Sequence, residues 1–423
     1  MELKEYLVTR KREIDETDVK PRKLMFSPNK NFIVSIIGPR RAGKTYFLYY
    51  FIKRNKLKGH EYLFINFEEI LLTEDPYKIP FLHQQIYGNI PLYIFLDEIQ
   101  ALENWQKVVY HLYEKKRYII FITGSSSKLL SKEIATQLRG RSISFNIFPL
   151  SFKEVLIFNN LKVRKSDLLD LYTVNKIKNI LNLCLKRGCF PDIVLENIPP
   201  FRFFREYFDL LIYKDIMERY GIRERFDLEF FLRNLISSFS KEFSVNKVFR
   251  SLKSKGIKVA RSTLYNFQKV VEDVQFAFFL KKYEESLRKI EMSIPKVYLV
   301  DNGFYSFLEG KEDIGKLMEN FVFLELIKSG LEINKEIFYF KDYQQHEVDF
   351  IIKKGTIIRQ LIQVTYASSL DEVERRELRS LIKASNLLHC KDLLVVTWDY
   401  EDEIKFKGER IKFIPLWKWL MKV

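Results

Sequence analysis

From residue 31 onward, short apolar runs alternate with longer segments in which apolar positions recur every three or four residues. Phe32–Ile37, Tyr62–Asn66, Leu92–Leu96, Tyr118–Thr123 and Ile143–Ile147 are almost unbroken apolar runs, the pattern of parallel strands covered on both faces. The segments between them, Tyr46 to Ile52 first among them, have helical spacing. This alternation predicts a doubly wound α/β domain over residues 1–150, opening with polar helix and loop over 1–30. Ligand is expected at the C-terminal ends of its strands.

Helical periodicity takes over from residue 151 to 225. Phe203, Tyr207, Leu210, Leu211 and Met217 form one stripe with Arg and Lys opposite, broken upstream by Pro199-Pro200. This stretch is read as a helical lid or connector. Residues 226–295 predict three helices, at Leu228 to Phe239, Val245 to Leu252 and Thr263 to Val271, with Ser244 and Ser262 as candidate caps. Strand-like runs follow at Phe276–Tyr283 and Lys296–Val300, an order that matches a winged helix-turn-helix. Residues 296–423 predict a further α/β domain, with a helix at Leu317–Ser329 and strands at Ile337–Phe340, Glu347–Ile352, Leu361–Thr365 and Leu393–Thr397.

Gly38-Pro39-Arg40-Arg41-Ala42-Gly43-Lys44-Thr45 joins the first strand to the first helix and fits G-x-x-x-x-G-K-[ST] without a mismatch. Backbone N–H groups of such a loop wrap phosphates, helped by the helix N-terminus that Tyr46 continues. Lys44 is expected on the β/γ-phosphates and the Thr45 hydroxyl on Mg²⁺. A buried strand ends at Asp97 and Glu98, so Asp97 is the second candidate metal ligand and Glu98 the group that polarises water. The neighbouring strand runs into Thr123-Gly124-Ser125-Ser126-Ser127. Ser125 is the first choice and Thr123 the second for contact with a γ-phosphate or the attacking water, although the serines also suit a helix cap. Arg141, and next Arg139, are candidate arginine fingers, in the same subunit or a neighbour.

These residues, with Leu96-Asp97-Glu98-Ile99-Gln100, Leu138-Arg139-Gly140-Arg141 and Pro149-Leu150-Ser151-Phe152, resemble a large prokaryotic family of predicted AAA+-superfamily ATPases. That family joins its ATPase to a C-terminal domain resembling PD-(D/E)XK nucleases. The resemblance implies an α/β chain with a P-loop AAA+-like ATPase core, a helical lid, a winged helix-turn-helix and a C-terminal α/β nuclease-like domain. It also implies ATP with Mg²⁺ and allows homo-oligomers. In such nucleases a helix Glu, a strand Asp and a following Glu/Gln-x-Lys gather a metal. Here Glu319 (or Glu325), Asp349 and Gln363 match, with His346 and Glu347 nearby, but Thr365 stands where the lysine belongs. Threonine carries no charge to stabilise a nucleophile, and the neutral Gln363 weakens a hard-cation site, so a degenerate domain is expected.

Lys+Arg total 71 against 55 Asp+Glu, a net charge of +16, which favours an anionic partner such as DNA, duplex or branched. Arg261, Thr263, Tyr265, Asn266 and Lys269 are the candidate DNA contacts on the third helix of the 226–295 segment, with Leu264, Phe267, Val270 and Val271 facing inward. Basic residues before it (Lys247, Arg250, Lys253, Lys255, Lys258) and after it (Lys281, Lys282, Arg288, Lys289) would neutralise phosphates. Three cysteines without a C-x-x-C pair argue against a disulfide framework or a zinc site. With no apolar run near 18 residues and a charged start, a cytoplasmic protein with no membrane span is expected. The reading is an ATPase whose nucleotide state controls DNA engagement. Its alternatives are an ATP-gated metal-dependent nuclease and a signalling or scaffold ATPase whose winged helix binds protein.

Overall fold

The computed structural model describes residues 3–23, 26–70, 75–124, 140–310 and 312–422. They fall into two compact units. The first holds residues 1–149 with 273–275, and the second the remainder.

The first unit is built on five parallel strands: β1 (Ile33–Ile37), β2 (Tyr62–Asn66), β3 (Tyr93–Asp97), β4 (Ile119–Gly124) and β5 (Ser142–Asn146), in the order β2-β3-β4-β1-β5. The helices are α1 (Leu3–Glu16), α2 (Lys44–Arg54), α3 (Ile79–Tyr87) and α4 (Trp105–Glu114). Because strand side chains alternate, one sheet can feed two cores. Ile33, Ile37, Leu63, Leu96 and Ile122 pack with Leu7 of α1 and with Trp105, Val109 and Leu112 of α4. Val34, Ile36, Phe64, Phe95 and Phe121 pack with Phe47, Leu48 and Ile52 of α2. That double burial is why the strands read as unbroken apolar runs. β5 differs: it lies at the sheet edge and its residues stay partly open to solvent.

In the second unit α5 (Phe152–Phe158) opens with a reciprocal cap. The Ser151 N–H donates to Glu154 Oε2 at 2.9 Å, and the Glu154 N–H to Ser151 Oγ at 3.4 Å. Next come α6 (Leu171–Arg187), α7 (Pro191–Val194) and α8 (Pro200–Leu210), which runs on as a π-helical stretch over Leu211–Glu218. The expected stripe slips there. Ile212 and Ile216 are buried and Met217 only half-buried, because the wider i→i+5 turn rotates the inward face.

The segment α9 (Arg225–Ser237), β6 (Lys241–Glu242), α10 (Val245–Ser254), α11 (Arg261–Asp273), β7 (Ala277–Leu280), α12 (Leu287–Met292) and β8 (Lys296–Leu299) folds its strands into an antiparallel sheet ordered β6-β8-β7. The expected boundary at 295/296 therefore separates β8 from the strands it pairs with. Ser262 is no cap, since α11 already begins at Arg261.

The chain continues through α13 (Gly303–Leu308) and α14 (Ile314–Lys328). A six-stranded mixed sheet follows: β9 (Ile337–Lys341), β10 (Glu347–Lys354), β11 (Ile357–Val364), β12 (Leu393–Thr397), β13 (Asp402–Phe406) and β14 (Glu409–Pro415), ordered β13-β14-β12-β11-β10-β9. α15 (Arg375–Leu388) packs on β10 and β11, and the short α16 (Leu416–Leu420) closes the chain. α14 is buried continuously from Leu317 to Ile327 because it packs against both β8 and β11. All three cysteines are buried and unpaired. Among the described residues no helix is long and apolar enough to cross a membrane.

Candidate functional site

The loop between β1 and α2 takes its shape from two glycines. At Gly38 (φ 154°) a Cβ would sit 2.0 Å from the Ile147 carbonyl oxygen, so only glycine lets the chain pass. Gly43 (φ 91°) takes the left-handed conformation that turns the chain into α2. Lys44, 4% exposed, donates to the carbonyls of Gly38 (3.2 Å) and Pro39 (3.1 Å), and its Nζ lies 3.8 Å from Glu98 Oε1. Arg40 approaches Glu68 at 3.9 Å, Arg41 sits at φ 59°, Ala42 is fully buried and Tyr46 is exposed just beyond the loop.

Parallel pairing carries the ends of β3 and β4 to the same edge as this loop. Thr45 Oγ1 donates to Asp97 Oδ2 at 2.7 Å, and Thr123 Oγ1 to Asp97 Oδ1 at 2.5 Å. The Glu98 N–H in turn donates to Thr123 Oγ1 at 2.9 Å. Burial, then the Glu98 charge, pushes the Asp97 carboxyl up to about 6, against the pull of Thr123, Thr45 and Lys44. Glu98 sits at φ 47°, ψ 49°, a left-handed conformation that is strained for a non-glycine residue. Gln100 Nε2 donates to its Oε2 at 2.6 Å.

The sheet does not bring every candidate here. Arg141 precedes β5 and so lies at the opposite, N-terminal edge, where it donates to Tyr110 Oη (2.9 Å) and pairs with Glu114 (2.5 Å). A finger role toward its own loop is therefore withdrawn on geometry, since parallel strands send their two ends apart. Ser125 and Arg139 lie outside the described residues.

In the second unit Glu319, Asp349 and Gln363 do converge, around a group that the sequence did not single out. Lys296 of β8, 2% exposed, places Nζ 3.0 Å from Glu319 Oε1, 2.6 Å from Glu347 Oε1 and 3.0 Å from Asp349 Oδ1. Tyr298 Oη donates to Glu319 Oε1 at 2.6 Å. Gln363 Nε2 (2.8 Å) and the Val364 N–H (2.9 Å) donate to Asp349 Oδ2. Burial, then Asp349, pushes Glu319 up to about 8, while Lys296 and Tyr298 oppose the rise. Burial disfavours the Lys296 ammonium, but Glu319, Asp349, Tyr298 and Glu347 outweigh it and hold the group well above the usual lysine range. Glu377 of α15 is driven up to about 8 by burial and by Asp349. Glu325 is not an alternative to Glu319: it accepts from the Phe152 N–H and from Lys328 instead. His346 faces Asp342 at 3.1 Å. Among the described residues no group of three or more His, Cys, Asp or Glu is arranged to hold a metal.

On α11, Arg261, Tyr265, Asn266 and Lys269 are exposed and Thr263 is half-buried, while Leu264, Phe267, Val270 and Val271 are buried. Lys281 and Lys282 are ion-paired with Glu291 and Glu284, so they offer less free charge than expected.

Residues 30–156 match a family model described as an AAA domain. Residues 178–314 and 314–419 match two domains of unknown function, DUF8612 and DUF4143. An uncharacterized protein of Methanocaldococcus jannaschii, MJ1544, is 36% identical over 408 residues, which span 93% of this chain and 88% of that one. The chain belongs to that protein's family. An uncharacterized protein of Haemophilus influenzae is 27% identical over 403 residues, covering 92% and 94%. Among solved structures, AMPPCP-bound DnaA from Aquifex aeolicus is similar at 15% identity and a TM-score of 0.23, covering 62% of this chain and 86% of that one. Cdc6p from Pyrobaculum aerophilum is similar at 13% and 0.26, covering 71% and 88%. At TM-scores this low the superpositions say nothing about what this chain binds.

This member of the MJ1544 family thus carries an AAA domain and, further on, a buried charge cluster whose centre is Lys296. One signal for Lys296 was legible. It heads the apolar run Lys296-Val297-Tyr298-Leu299, on the same strand face as Tyr298, and a charge on an inward face requires a partner. Glu377, on a helix with ordinary charge spacing, gave no such signal.

Proposed function

We propose that the chain binds ATP with Mg²⁺ in the loop 38–45 and hydrolyses it, and that its nucleotide state governs how the exposed face of α11 engages DNA. The observation that carries the nucleotide reading is the convergence of Lys44, Thr45, Asp97, Glu98 and Thr123 at one sheet edge. The residues fit the group. Lys44 rests on the loop's own carbonyls, a position from which it can turn to phosphate, and Thr45 Oγ1 and Asp97 supply the hard oxygen donors that Mg²⁺ prefers. Bound there, Mg²⁺ would neutralise charge on the β- and γ-phosphates. Glu98 would orient and deprotonate water, and Thr123 holds its backbone in place.

The DNA half is supported by the order of α9, β6, α10, α11, β7, α12 and β8, which resembles a winged helix-turn-helix with a short helix between the last two strands, and by the exposed Arg261, Tyr265, Asn266 and Lys269. The deciding experiment is ATP turnover with and without single-stranded, duplex and branched DNA at two salt concentrations. Stimulation that fades with salt is expected, and turnover indifferent to every DNA would refute the coupling. Glu98→Gln should bind ATP yet lose roughly 10²–10⁴-fold in kcat. Turnover at the wild-type rate would show that Glu98 has another role.

A second reading, an ATP-gated metal-dependent nuclease, is favoured by the meeting of Glu319, Asp349 and Gln363. Lys296 in their midst counts against it. If it holds, the wild type cleaves plasmid or branched DNA in Mg²⁺ or Mn²⁺ and Asp349→Ala does not.

A further inference from the structure

We propose that the Lys296 ammonium occupies the cation position of the Glu319–Glu347–Asp349 cluster and closes it to divalent metal, so that a latent cation site opens only when this lysine is removed. This goes beyond nucleotide binding and does not depend on it.

Three carboxylate oxygens from α14 and β10 lie within 3.0 Å of one point, and that point is Nζ of a side chain from β8. Carboxylates this close repel unless a positive charge or a held proton offsets them, and here an ammonium lies among them. The charge here comes from the chain itself. An ammonium offers three donors, and the three oxygens take one each, which saturates Lys296 and leaves it no free proton for a substrate. The group is buried, so it cannot swing into solvent as a surface lysine does.

A second observation points the same way. Gln363 is 7% exposed and hands its Nε2 to Asp349, yet its Oε1 has no partner. An orphaned buried acceptor wants a donor or a cation, and an ammonium with all three protons committed cannot serve it. Gln363 meets Asp349 at Oδ2, while Lys296 holds Oδ1. Glu347 alone among the three carboxylates is substantially open to solvent, at 32% of its side chain, and it shares its other oxygen with Lys341 at 3.3 Å. It marks the direction from which an ion would enter once Nζ is gone.

Terbium, with luminescence sensitised by an adjacent tyrosine, tests this directly, because Tyr298 touches Glu319. The probe is Tb³⁺ alone on the full chain without nucleotide. The wild type and Asp349→Asn should give the same signal, since the cluster takes up no ion. Lys296→Ala should gain emission at about 10⁻⁴ M Tb³⁺, at least tenfold above wild type, and Lys296→Ala/Asp349→Asn should lose it. Emission from the wild type that disappears in Asp349→Asn would overturn the proposal, and so would a folded Lys296→Ala without added emission. If Lys296→Ala folds poorly, its Tm is followed with Mn²⁺. A rise in the variant and none in the wild type supports the plugged site, and equal responses overturn it.

Discussion

Thr123 ties the candidate nucleotide site together: its hydroxyl donates to Asp97 and accepts from the Glu98 backbone. Thr123→Val keeps the shape and removes both bonds, so it should cost about 1–3 kcal/mol in stability and lower kcat more than it raises KM, as read by denaturation and steady-state kinetics. Lys44→Ala should weaken ATP binding roughly ten- to a hundredfold in calorimetry, through lost charge-assisted hydrogen bonds. Asp301 supplies a pH dependence. Its carboxylate accepts from the N–H groups of Cys189 (2.6 Å) and Gly303 (2.8 Å), and burial raises its pKa from 3.8 to about 6. A raised folded-state value means that the native state prefers the proton. Its stabilising contribution is complete below about pH 4 and is lost as pH rises through about 6, a swing of roughly 2–3 kcal/mol. Urea unfolding from pH 4 to 7 should show this slope together with those of Asp97, Glu319 and Glu377, which are raised in the same sense, and Asp301→Asn should lessen the total by that amount. Thr123 and Asp97 are legible in the sequence because they stand at the polar ends of apolar strands that follow the 38–45 loop. Lys296 belongs to no motif, and only its place at the head of an apolar strand marks it.

Among the elements, α5 and α11 carry separable predictions. Ser151→Ala removes the reciprocal cap of α5 and should cost about 1 kcal/mol, measurable as a lower urea midpoint with an unchanged slope. On α11, Lys269→Glu should weaken duplex binding with little effect on folding, because that side chain is exposed while its neighbours Phe267 and Val270 are buried. In the first unit the alternation of strand and helix is legible from periodicity, since β1 to β4 are buried on both faces and α2 and α4 on one, whereas the short or half-exposed β6, β13 and β14 and the helices α12 and α15 were not predicted. Neither was the π-helical turn after α8. It depends on how Ile212 and Ile216 find room against neighbours, and periodicity reports only the regular helix.

For the whole molecule, the excess of 16 positive charges predicts DNA affinity that falls steeply between 50 and 200 mM salt, by about 10³-fold or more if six or more phosphates are neutralised. A flat salt response would detach the charge from DNA binding. The turn at 38–45, the acids at 97 and 98 and the alternating α/β order were written into adjacent residues, because turn shape, strand burial and helix spacing act over a few positions. Distant encounters were not so written. Parallel pairing put Arg141 at the far edge from the loop it was expected to reach, and the packing of α14 between two sheets brought Lys296 among Glu319, Glu347 and Asp349. Contacts across such separations follow from how whole elements pack, and no window of neighbouring residues contains that information.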